Sequence, residues 1–381
     1  MLDALVIGAG PAGLMAAEVM ERAGRRVLVV EAKSSAGRKF LMAGKSGLNL
    51  TKDEAFAPFA RAYGNHWLAP ILQDFGPDHV VDWCRGLGQE VFVGSSGRVF
   101  PVAMKASPLL RAWLERLAGL GVELRTRWRW TGFDGDTLTF ETPEGPQTLD
   151  PKVTVLALGG ASWSRLGSDG TWAPMLTERG VTVAPFRPAN MGFVVDWSPH
   201  MTRHFGQPVK GCALTVGSKR ERGEFIVSAK GVEGGGIYAV SAALRDGAAL
   251  TLDLAPDVSA EDVTDRLNRM KPSETRANQL RKLGLSPVGI ALIQEFGRDL
   301  PLLDAVKSLP VPLQGPRPLD EAISTAGGIT HSALTATLEL KALPRIFACG
   351  EMLDWEAPTG GYLITGCLAT GAWAGKAAAQ T

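Results

Sequence analysis

The chain opens with Leu2-Asp-Ala-Leu-Val-Ile-Gly8-Ala-Gly10-Pro-Ala-Gly13, continues with a small-residue stretch to Gly24, and then reads Arg26-Val-Leu-Val-Val-Glu31. Two short apolar runs flank the glycines, and such runs are typical of buried parallel strands. The stretch between them has the composition of a helix that stops at Gly24. The order strand, G-x-G-x-x-G, helix, strand, acid predicts a Rossmann-type βαβ unit.

Each residue of this motif has a physical task in holding a dinucleotide. Gly8 permits the tight turn, Gly10 lets a pyrophosphate approach the backbone, and Gly13 lets the helix pack on the strand. The helix N-terminus offers free N–H groups and a partial positive charge to the phosphates. Glu31 would accept hydrogen bonds from the adenosine ribose hydroxyls. The sequence therefore predicts a dinucleotide site. A glycine turn in an unrelated βαβ unit is the alternative, and it leaves Glu31 unexplained.

Length, charge and cysteine usage argue against several other classes of protein. The chain has 381 residues, which suggests two or three domains, and its net charge is +1. That balance gives no general attraction to nucleic acid or to an anionic membrane, so we expect neither partner. The 4 cysteines form no C-x-x-C, which argues against a metal site and dithiol chemistry and fits a cytoplasmic protein. The uncharged run at 357–375 contains a proline and several glycines, which makes it a poor membrane span.

The segment after Glu31 is more specific, and it reads Ala36-Gly-Arg38-Lys39-Phe-Leu-Met-Ala-Gly44-Lys45-Ser46-Gly47-Leu48-Asn49-Leu50-Thr51. Basic residues, glycines and small hydroxyls at this point suit a long cofactor that runs on past its pyrophosphate. The pattern G-R-K, glycine cluster, N-x-T resembles the HI0933-like flavoproteins, also called the YhiN or BaiN-like family. That family has Arg-Cys ahead of the Asn, where this chain has Gly47-Leu48, so the chain resembles a divergent subfamily.

Later segments add to the resemblance. They are Gly97-Arg98-Val-Phe100-Pro101, Val153-Thr-Val-Leu-Ala-Leu-Gly159-Gly160, Arg345-Ile-Phe-Ala-Cys-Gly350-Glu351 and Ala357-Pro-Thr-Gly360-Gly361-Tyr362. Glu351 stands where FAD proteins of the glutathione-reductase type commonly carry the Asp that bonds the ribityl chain. Leu363 replaces an Asn of the family pattern.

The resemblance implies FAD as the cofactor. We expect it to be held by Gly8, Gly10, Pro11, Ala12, Gly13, Glu31, Ala32, Arg38, Lys39, Gly44, Asn49, Thr51, Trp130, Gly159, Gly160, Gly350, Glu351, Gly360, Gly361 and Tyr362. Trp130 ends the run Arg125-Thr-Arg127-Trp-Arg129-Trp130, whose alternation predicts one strand with three Arg on one face and two Trp on the other. In flavoproteins of this type, the end of the equivalent strand passes near the adenine.

The composition changes near residue 188, which indicates a domain inserted into the nucleotide-binding domain. The fold class is α/β, with a Rossmann-like FAD-binding domain, an inserted β-rich domain and a small helical subdomain. The predicted boundaries are 1–188 and 322–381 for the FAD-binding domain, 189–256 with about 300–321 for the β-rich domain, and 257–299 for the helical subdomain. Capping and periodicity predict helices over 260–270, 274–283 and 287–297.

The implied function is that of an FAD-dependent oxidoreductase. The chain lacks both a C-x-x-C relay and a second G-x-G-x-x-G. One hypothesis is a reductase, in which NAD(P)H docks transiently and hydride passes to a conjugated C=C or to a C=O of a small organic substrate. A second is an oxidase of an amine or amino-ketone that uses O₂. A third is flavin-dependent reduction of a pyrimidine in RNA, against which the near-neutral charge argues.

A hydride acceptor also needs a proton donor beside the flavin. Lys45, Ser46, His331 and Tyr362 lie in segments that we expect near the flavin ring. Lys45 would also neutralise the charge of the reduced flavin. His331 is a candidate because imidazole is a common general acid, although a single His in a surface loop is more often only polar surface.

Overall fold

The computed structural model of the chain describes residues 2–44, 47–64 and 66–381. Contacts divide it into two units, the first of residues 1–187 and 324–381 and the second of residues 188–323. The chain therefore leaves the first unit once and later returns to it.

The strands, in chain order, are β1 (Leu2–Ile7), β2 (Val27–Glu31), β3 (Thr51–Lys52), β4 (Val91–Val93), β5 (Arg98–Pro101), β6 (Glu123–Thr126), β7 (Arg129–Asp134), β8 (Thr137–Thr142), β9 (Gly145–Leu149), β10 (Pro151–Leu156), β11 (Val183–Ala189), β12 (Phe193–Val194), β13 (Pro208–Val216), β14 (Lys219–Ser228), β15 (Gly231–Glu233), β16 (Leu250–Asp253), β17 (Leu309–Val311), β18 (Gly315–Pro316), β19 (Ser324–Ile329) and β20 (Ile346–Ala348). The helices are α1 (Pro11–Arg22), α2 (Arg38–Ala43), α3 (Phe56–Arg61), α4 (Ala69–Asp74), α5 (Pro77–Gly86), α6 (Ala106–Leu120), α7 (Trp172–Thr177), α8 (Gly235–Arg245), α9 (Ala260–Asn268), α10 (Arg276–Lys282), α11 (Pro287–Phe296), α12 (Leu302–Lys307) and α13 (Tyr362–Gln380).

A parallel sheet organises the first unit, with its strands in the order β20-β10-β1-β2-β6. All neighbouring pairs in it are parallel. The central strand β1 is buried from Ala4 to Ile7, as expected for a strand inside a parallel sheet. The predicted unit β1-α1-β2 is thereby confirmed. Because the strands are parallel, the turns that follow β1, β2, β10 and β20 all lie at one edge of the sheet.

Helices α1 and α13 are rich in small residues and pack against each other in the first unit. A Cβ on Gly371 would lie 2.3 Å from the carbonyl oxygen of Ala12, and a Cβ on Gly375 would lie 2.8 Å from that of Ala16. The two backbones therefore approach closely, which explains the glycines of the uncharged C-terminal run. Among the residues described, no helix has both the length and the apolar character that crossing a bilayer requires.

The run from residue 125 to residue 130 differs from the single alternating strand that the sequence predicts. It contains the end of β6 and the start of β7, with Arg127 between them at a φ of 61°. The Trp128 N–H donates to the carbonyl of Glu31 at 2.9 Å. The prediction was wrong because the chain turns here from the parallel sheet into the antiparallel sheet β7-β8-β9, and this turn breaks the alternation. Trp128 and Trp130 are both buried.

The second unit contains an antiparallel sheet with the strand order β17-β16-β13-β14-β15-β12-β18. The predicted helices over 260–270, 274–283 and 287–297 are confirmed as α9, α10 and α11. Ser259 caps α9, since its Oγ accepts the N–H of Asp262 at 3.0 Å. Apolar residues of these helices and of the sheet share one core.

Candidate cofactor-binding site

The turns at the carboxyl ends of β1, β2, β10 and β20 line a shared cleft in the first unit. The cleft brings together many of the predicted cofactor residues: Gly8, Gly10, Pro11, Ala12, Glu31, Ala32, Arg38, Lys39, Trp130, Gly159, Gly350 and Glu351. They come from both ends of the chain and meet because the four strands share one edge of the sheet.

The glycines of the first turn differ in what surrounds them. Gly8 has a φ of +105°, and a Cβ there would lie 2.3 Å from the carbonyl oxygen of Ala157. A Cβ on Gly13 would lie 2.0 Å from the carbonyl oxygen of Gly8. By contrast, a Cβ on Gly10 would meet no atom within 4 Å among the described residues. Gly8 and Gly13 are therefore required by the fold, whereas Gly10 leaves open space in which a phosphate fits.

Glu31 lies at the end of β2, and both of its carboxylate oxygens are bonded to backbone. Oε2 accepts the N–H of Ala9 at 3.0 Å, and Oε1 accepts the N–H of Lys33 at 2.8 Å. Burial raises the pKa of this carboxyl, and the two N–H donors oppose that shift. Each oxygen keeps lone pairs that two ribose hydroxyls would use.

Glu351 follows β20 and is held by a side chain from the other end of the chain. Its Oε2 accepts from Lys39 Nζ at 2.6 Å, and its Oε1 accepts the N–H of Thr325 at 3.0 Å. Lys39 Nζ also donates to Ser162 Oγ at 2.8 Å. The side chains of Lys39 and Glu351 are 28% and 13% exposed, so solvent screens this ion pair less than a surface pair.

Two polar atoms of residues that line the cleft have no protein partner. Within residues 2–44, 47–64 and 66–381, Arg38 Nε and Ser168 Oγ are buried and make no hydrogen bond. Leaving such a group unsatisfied costs about 1–3 kcal/mol, so both atoms point to a ligand that carries acceptors. Phosphate oxygens are such acceptors. With the open space at Gly10, the residues present fit a dinucleotide.

The remaining predicted cofactor residues do not line this cleft: Gly13, Gly44, Asn49, Thr51, Gly160, Gly360, Gly361 and Tyr362. Packing explains some of them without a ligand. A Cβ on Gly361, for example, would lie 2.4 Å from the Cα of Thr51, and Gly361 has a φ of +102°. Glycine is therefore required at this position by the close approach of two backbone segments.

The four candidates for the proton donor are placed differently. Lys45 and Ser46 lie outside the described residues. His331 is exposed, and its ring stacks on Trp67 with centroids 5.0 Å apart. Tyr362 begins α13 and is buried. Neither His331 nor Tyr362 lines the cleft. The described part of the chain holds no group of three His, Cys, Asp or Glu side chains arranged for a metal ion.

The cleft also contains residues that the sequence reasoning missed. They include Gly37, Phe40, Trp128, Leu166, Gly167, Cys349 and Cys367. Trp128 lies two residues before Trp130, and both line the cleft, Trp128 from the turn between β6 and β7 and Trp130 from β7. Burial raises the pKa of Cys367 to about 12, so its thiol is neutral and packs as a small apolar group. In the sequence, Cys367 is marked only by its place in the first two turns of the C-terminal helix α13.

The family comparison covers almost the whole chain. A family model described as the HI0933-like protein Rossmann domain matches residues 2–377. The chain is 24% identical to the 3-dehydro-bile acid delta(4,6)-reductase of Clostridium scindens, over 98% of this chain and 98% of that protein. It is also 24% identical to the ribosomal RNA dihydrouridine synthase of Escherichia coli, over 94% of each chain.

Comparison with solved structures confirms the fold class. The chain is similar to the 3-ketosteroid-delta4-(5alpha)-dehydrogenase of Rhodococcus jostii, with a TM-score of 0.57 and 17% sequence identity. The match covers 100% of this chain and 97% of that chain. Because the family model extends over nearly every element of the fold described above, the chain belongs to the HI0933-like family.

Proposed function

We propose that this chain, an FAD-dependent oxidoreductase of the HI0933-like family, uses NAD(P)H to reduce a carbon–carbon double bond conjugated to a carbonyl in a small organic molecule. The main support is the cleft, where the glycine turn after β1, the carboxylate of Glu31 and the Lys39–Glu351 pair lie along one sheet edge. This arrangement suits a long dinucleotide with different groups at its two ends.

Different residues would hold different parts of FAD. The N-terminus of α1 and the guanidinium of Arg38 would bind the pyrophosphate. Glu31 would accept the hydroxyls of the adenosine ribose, and the Lys39–Glu351 pair would bind hydroxyls of the ribityl chain. Bound FAD supplies two-electron chemistry, in which a hydride is taken up and passed on.

The chain's own side chains keep this cleft ready for the cofactor. Glu351 has one oxygen bonded to Lys39 and the other to the backbone of Thr325, so its carboxylate has a fixed orientation before any ligand binds. Such preorganised groups need no rearrangement at the moment of reaction. The ammonium of Lys39 lies 2.6 Å from Glu351 Oε2 and offsets the charge of that carboxylate.

The names of the two relatives support the type of bond that is reduced. A 3-dehydro-bile acid with delta(4,6) double bonds is a ketone conjugated to two C=C bonds. Dihydrouridine is formed from uridine by reduction of a ring C=C that is conjugated to a carbonyl. Reduction of the ring bond of uridine, or of a simple 4-en-3-one, places a hydride on the carbon β to the carbonyl and a proton on the α carbon. We assign the same bond type to this chain.

We assign the role of electron donor to NAD(P)H that docks transiently. The chain has no second G-x-G-x-x-G of the kind that marks a resident nicotinamide domain, and it has no C-x-x-C to relay electrons from a thiol. A diffusible nicotinamide needs neither feature.

Reduction of a uridine in RNA is the second candidate function. The name of the Escherichia coli relative favours it, and the bond reduced is of the same type. The net charge of +1 argues for the small molecule, because RNA binding relies on neutralising phosphates with cations. RNA retention that falls steeply with salt, together with dihydrouridine in the product, would support this second candidate.

An anaerobic titration of the yellow protein with NADPH and NADH tests the proposal. We expect the visible flavin absorbance to bleach and then to return when cyclohex-2-enone or a 4-en-3-one steroid is added. A protein that stays yellow with both nicotinamides would overturn the donor assignment, and amines with O₂ would be tried next. A colourless protein that takes up no added FAD would overturn the flavin assignment itself.

A further inference from the structure

Tyr362, Lys52 and Glu54 form a polar cluster in the first unit, outside the cleft. The Tyr362 hydroxyl donates to Glu54 Oε1 at 2.5 Å and accepts from Lys52 Nζ at 3.0 Å. Lys52 and Glu54 also form an ion pair, with Nζ and Oε2 3.1 Å apart. The phenol oxygen is thus held between a cation that donates to it and an anion that accepts from it.

Packing fixes the ring of Tyr362 and leaves its charged partners partly exposed. The ring stacks on Phe59, with centroids 5.0 Å apart, and Tyr63 Oη donates to the Tyr362 carbonyl at 2.6 Å. Tyr362 is 5% exposed, whereas the side chains of Lys52 and Glu54 are 30% and 20% exposed. The hydroxyl therefore lies where the packed interior meets solvent, and water can reach its partners.

The cluster keeps the phenol protonated and the amine charged. Burial and the hydrogen bond to Glu54 raise the pKa of Tyr362, although Lys52 opposes the shift. Burial lowers the pKa of Lys52, but its bonds to Tyr362 and Glu54 outweigh that effect and raise it overall. Tyr362 therefore carries its proton at neutral pH, on an O–H that points at Glu54 in this structure.

An open face with apolar residues adjoins this cluster. Strands β3, β5 and β4 form a small antiparallel sheet, in which Lys52 pairs with Arg98 and Phe92 pairs with Phe100. Paired residues share a face, and Arg98 and Phe100 share one because they are two positions apart. The four side chains thus lie on one face, and Val99 of the opposite face is buried. Phe92 is 42% exposed.

We propose that Tyr362 donates the proton in the reduction, that Lys52 and Glu54 position it, and that the unsaturated rings of the acceptor lie on the Phe92–Phe100 face. The proposal rests on the function proposed above. The two phenyl rings pack against each other with centroids 5.6 Å apart, and with Phe92 42% exposed they offer an apolar surface that suits an unsaturated ring. The charged end of the face, at Lys52 and Arg98, suits the carbonyl oxygen.

The β carbon of the acceptor gains a hydride, whose two electrons come from NAD(P)H. The O–H bond of Tyr362 breaks, and its proton forms a new C–H bond at the α carbon. The ammonium of Lys52 stabilises the phenolate, which then regains a proton from solvent through the partly exposed Glu54.

Measuring the two half-reactions of the holoenzyme separately tests the role of Tyr362. In Tyr362→Phe, we expect bleaching by NADPH at the wild-type rate and reoxidation by the enone slowed by about 10²–10⁴-fold. Reoxidation by ferricyanide, which takes electrons without a proton on carbon, stays unchanged. Tyr238→Phe, which removes a hydroxyl in the second unit, serves as the matched control. An enone step at the wild-type rate in Tyr362→Phe would overturn the assignment.

NMR of the oxidised holoenzyme supplies a readout that does not depend on turnover. The chain has 3 tyrosines, so ¹³Cζ-labelled tyrosine gives few resonances, and each is assigned by its Phe variant. We expect cyclohex-2-enone or a 4-en-3-one steroid to shift the Tyr362 resonance and to leave that of Tyr238 in place. Lys52→Met should move the Tyr362 resonance without ligand and slow the enone step, with partial rescue by Lys52→Arg. An enone that shifts no tyrosine resonance would overturn the proposed binding face.

The same experiments separate this inference from the function on which it rests. A wild-type protein that reduces no conjugated ketone contradicts the proposed function, and the role of Tyr362 falls with it. A wild-type protein that reduces the enone as fast as Tyr362→Phe does contradicts the proton-donor role alone. In Phe92→Ala we expect a raised KM for the steroid and an unchanged kcat, and an unchanged KM would count against the face.

Discussion

The two glutamates of the cleft are held in opposite ways. Glu31 is bonded by the backbone of Ala9 and Lys33, which belong to its own βαβ unit or directly follow it. Glu351 is bonded by the side chain of Lys39, 312 residues away, and by the backbone of Thr325. One carboxylate is fixed by local structure, whereas the other depends on the two ends of the chain meeting. The end of the cleft at Glu31 should therefore tolerate changes of neighbouring side chains. The end at Glu351 should respond to the loss of a single cation.

The largest effect should come from Gly8→Ala, because this substitution changes the backbone turn that holds the Glu31 end of the cleft. The new Cβ would lie 2.3 Å from the Ala157 carbonyl oxygen at a φ of +105°. We expect the free energy of unfolding of the apoprotein to fall by about 3 kcal/mol or more. Urea denaturation of the apoprotein measures it, and a loss below about 1 kcal/mol would contradict the described turn.

Gly10→Ala is the matched control, because its Cβ would meet no atom within 4 Å among the described residues. We expect apoprotein stability to change by less than about 1 kcal/mol, while FAD affinity falls by about tenfold or more. Calorimetric titration with FAD gives the affinity. An unchanged affinity would show that no phosphate approaches this turn.

Lys39→Met tests the end of the cleft at Glu351, which depends on contacts between distant parts of the chain. The substitution leaves the carboxylate of Glu351 partly buried without its cation. Breaking a fully buried pair costs about 3–5 kcal/mol, and because both side chains keep some solvent we expect about 2 kcal/mol here. Thermal denaturation of the apoprotein, compared with Lys39→Arg, measures it. Adding Glu351→Gln to Lys39→Met should recover part of the loss, and a strictly additive double variant would argue against the pair.

Glu31→Gln should have a smaller effect, mainly on binding, although the amide NH₂ replaces an oxygen that accepts one of the two backbone N–H groups. The amide is nearly isosteric and keeps one acceptor, so we expect the fold to persist and FAD affinity to fall by about tenfold, or about 1.4 kcal/mol. Fluorescence quenching on FAD binding measures the affinity. A variant with wild-type affinity would remove Glu31 from the proposed ribose site.

The smallest expected effect is a pH dependence of stability at Glu31. Burial raises the pKa of this carboxyl in the folded protein above its ordinary value of 4.5. The folded state therefore holds the proton more tightly, so the wild-type apoprotein should lose stability relative to Glu31→Gln as pH rises from 4.5 through the raised pKa. Denaturation of both apoproteins between about pH 4 and pH 8 measures the difference, and the opposite slope would contradict the direction of the shift.

The sequence predicted the elements in which local interactions dominate. The β1-α1-β2 unit and the helices α9, α10 and α11 follow from apolar periodicity, glycine positions and caps, all of which lie within a few residues of one another. The α/β fold class followed from the same patterns, and several predicted cofactor residues meet in one cleft because parallel strands share an edge. Their roles in binding FAD remain predictions.

Only the tertiary structure decided the pairings that span the chain. Tyr362 meets Glu54 and Lys52 across more than 300 residues, and Glu351 meets Lys39 across 312. The positive φ of Arg127 lies where the chain passes from the parallel sheet to the antiparallel sheet, and no glycine in the sequence marks this turn. Periodicity and turn chemistry act between neighbouring residues. The partner of a charged side chain, by contrast, depends on where the packed core places distant backbone segments, and no contiguous stretch of sequence records that.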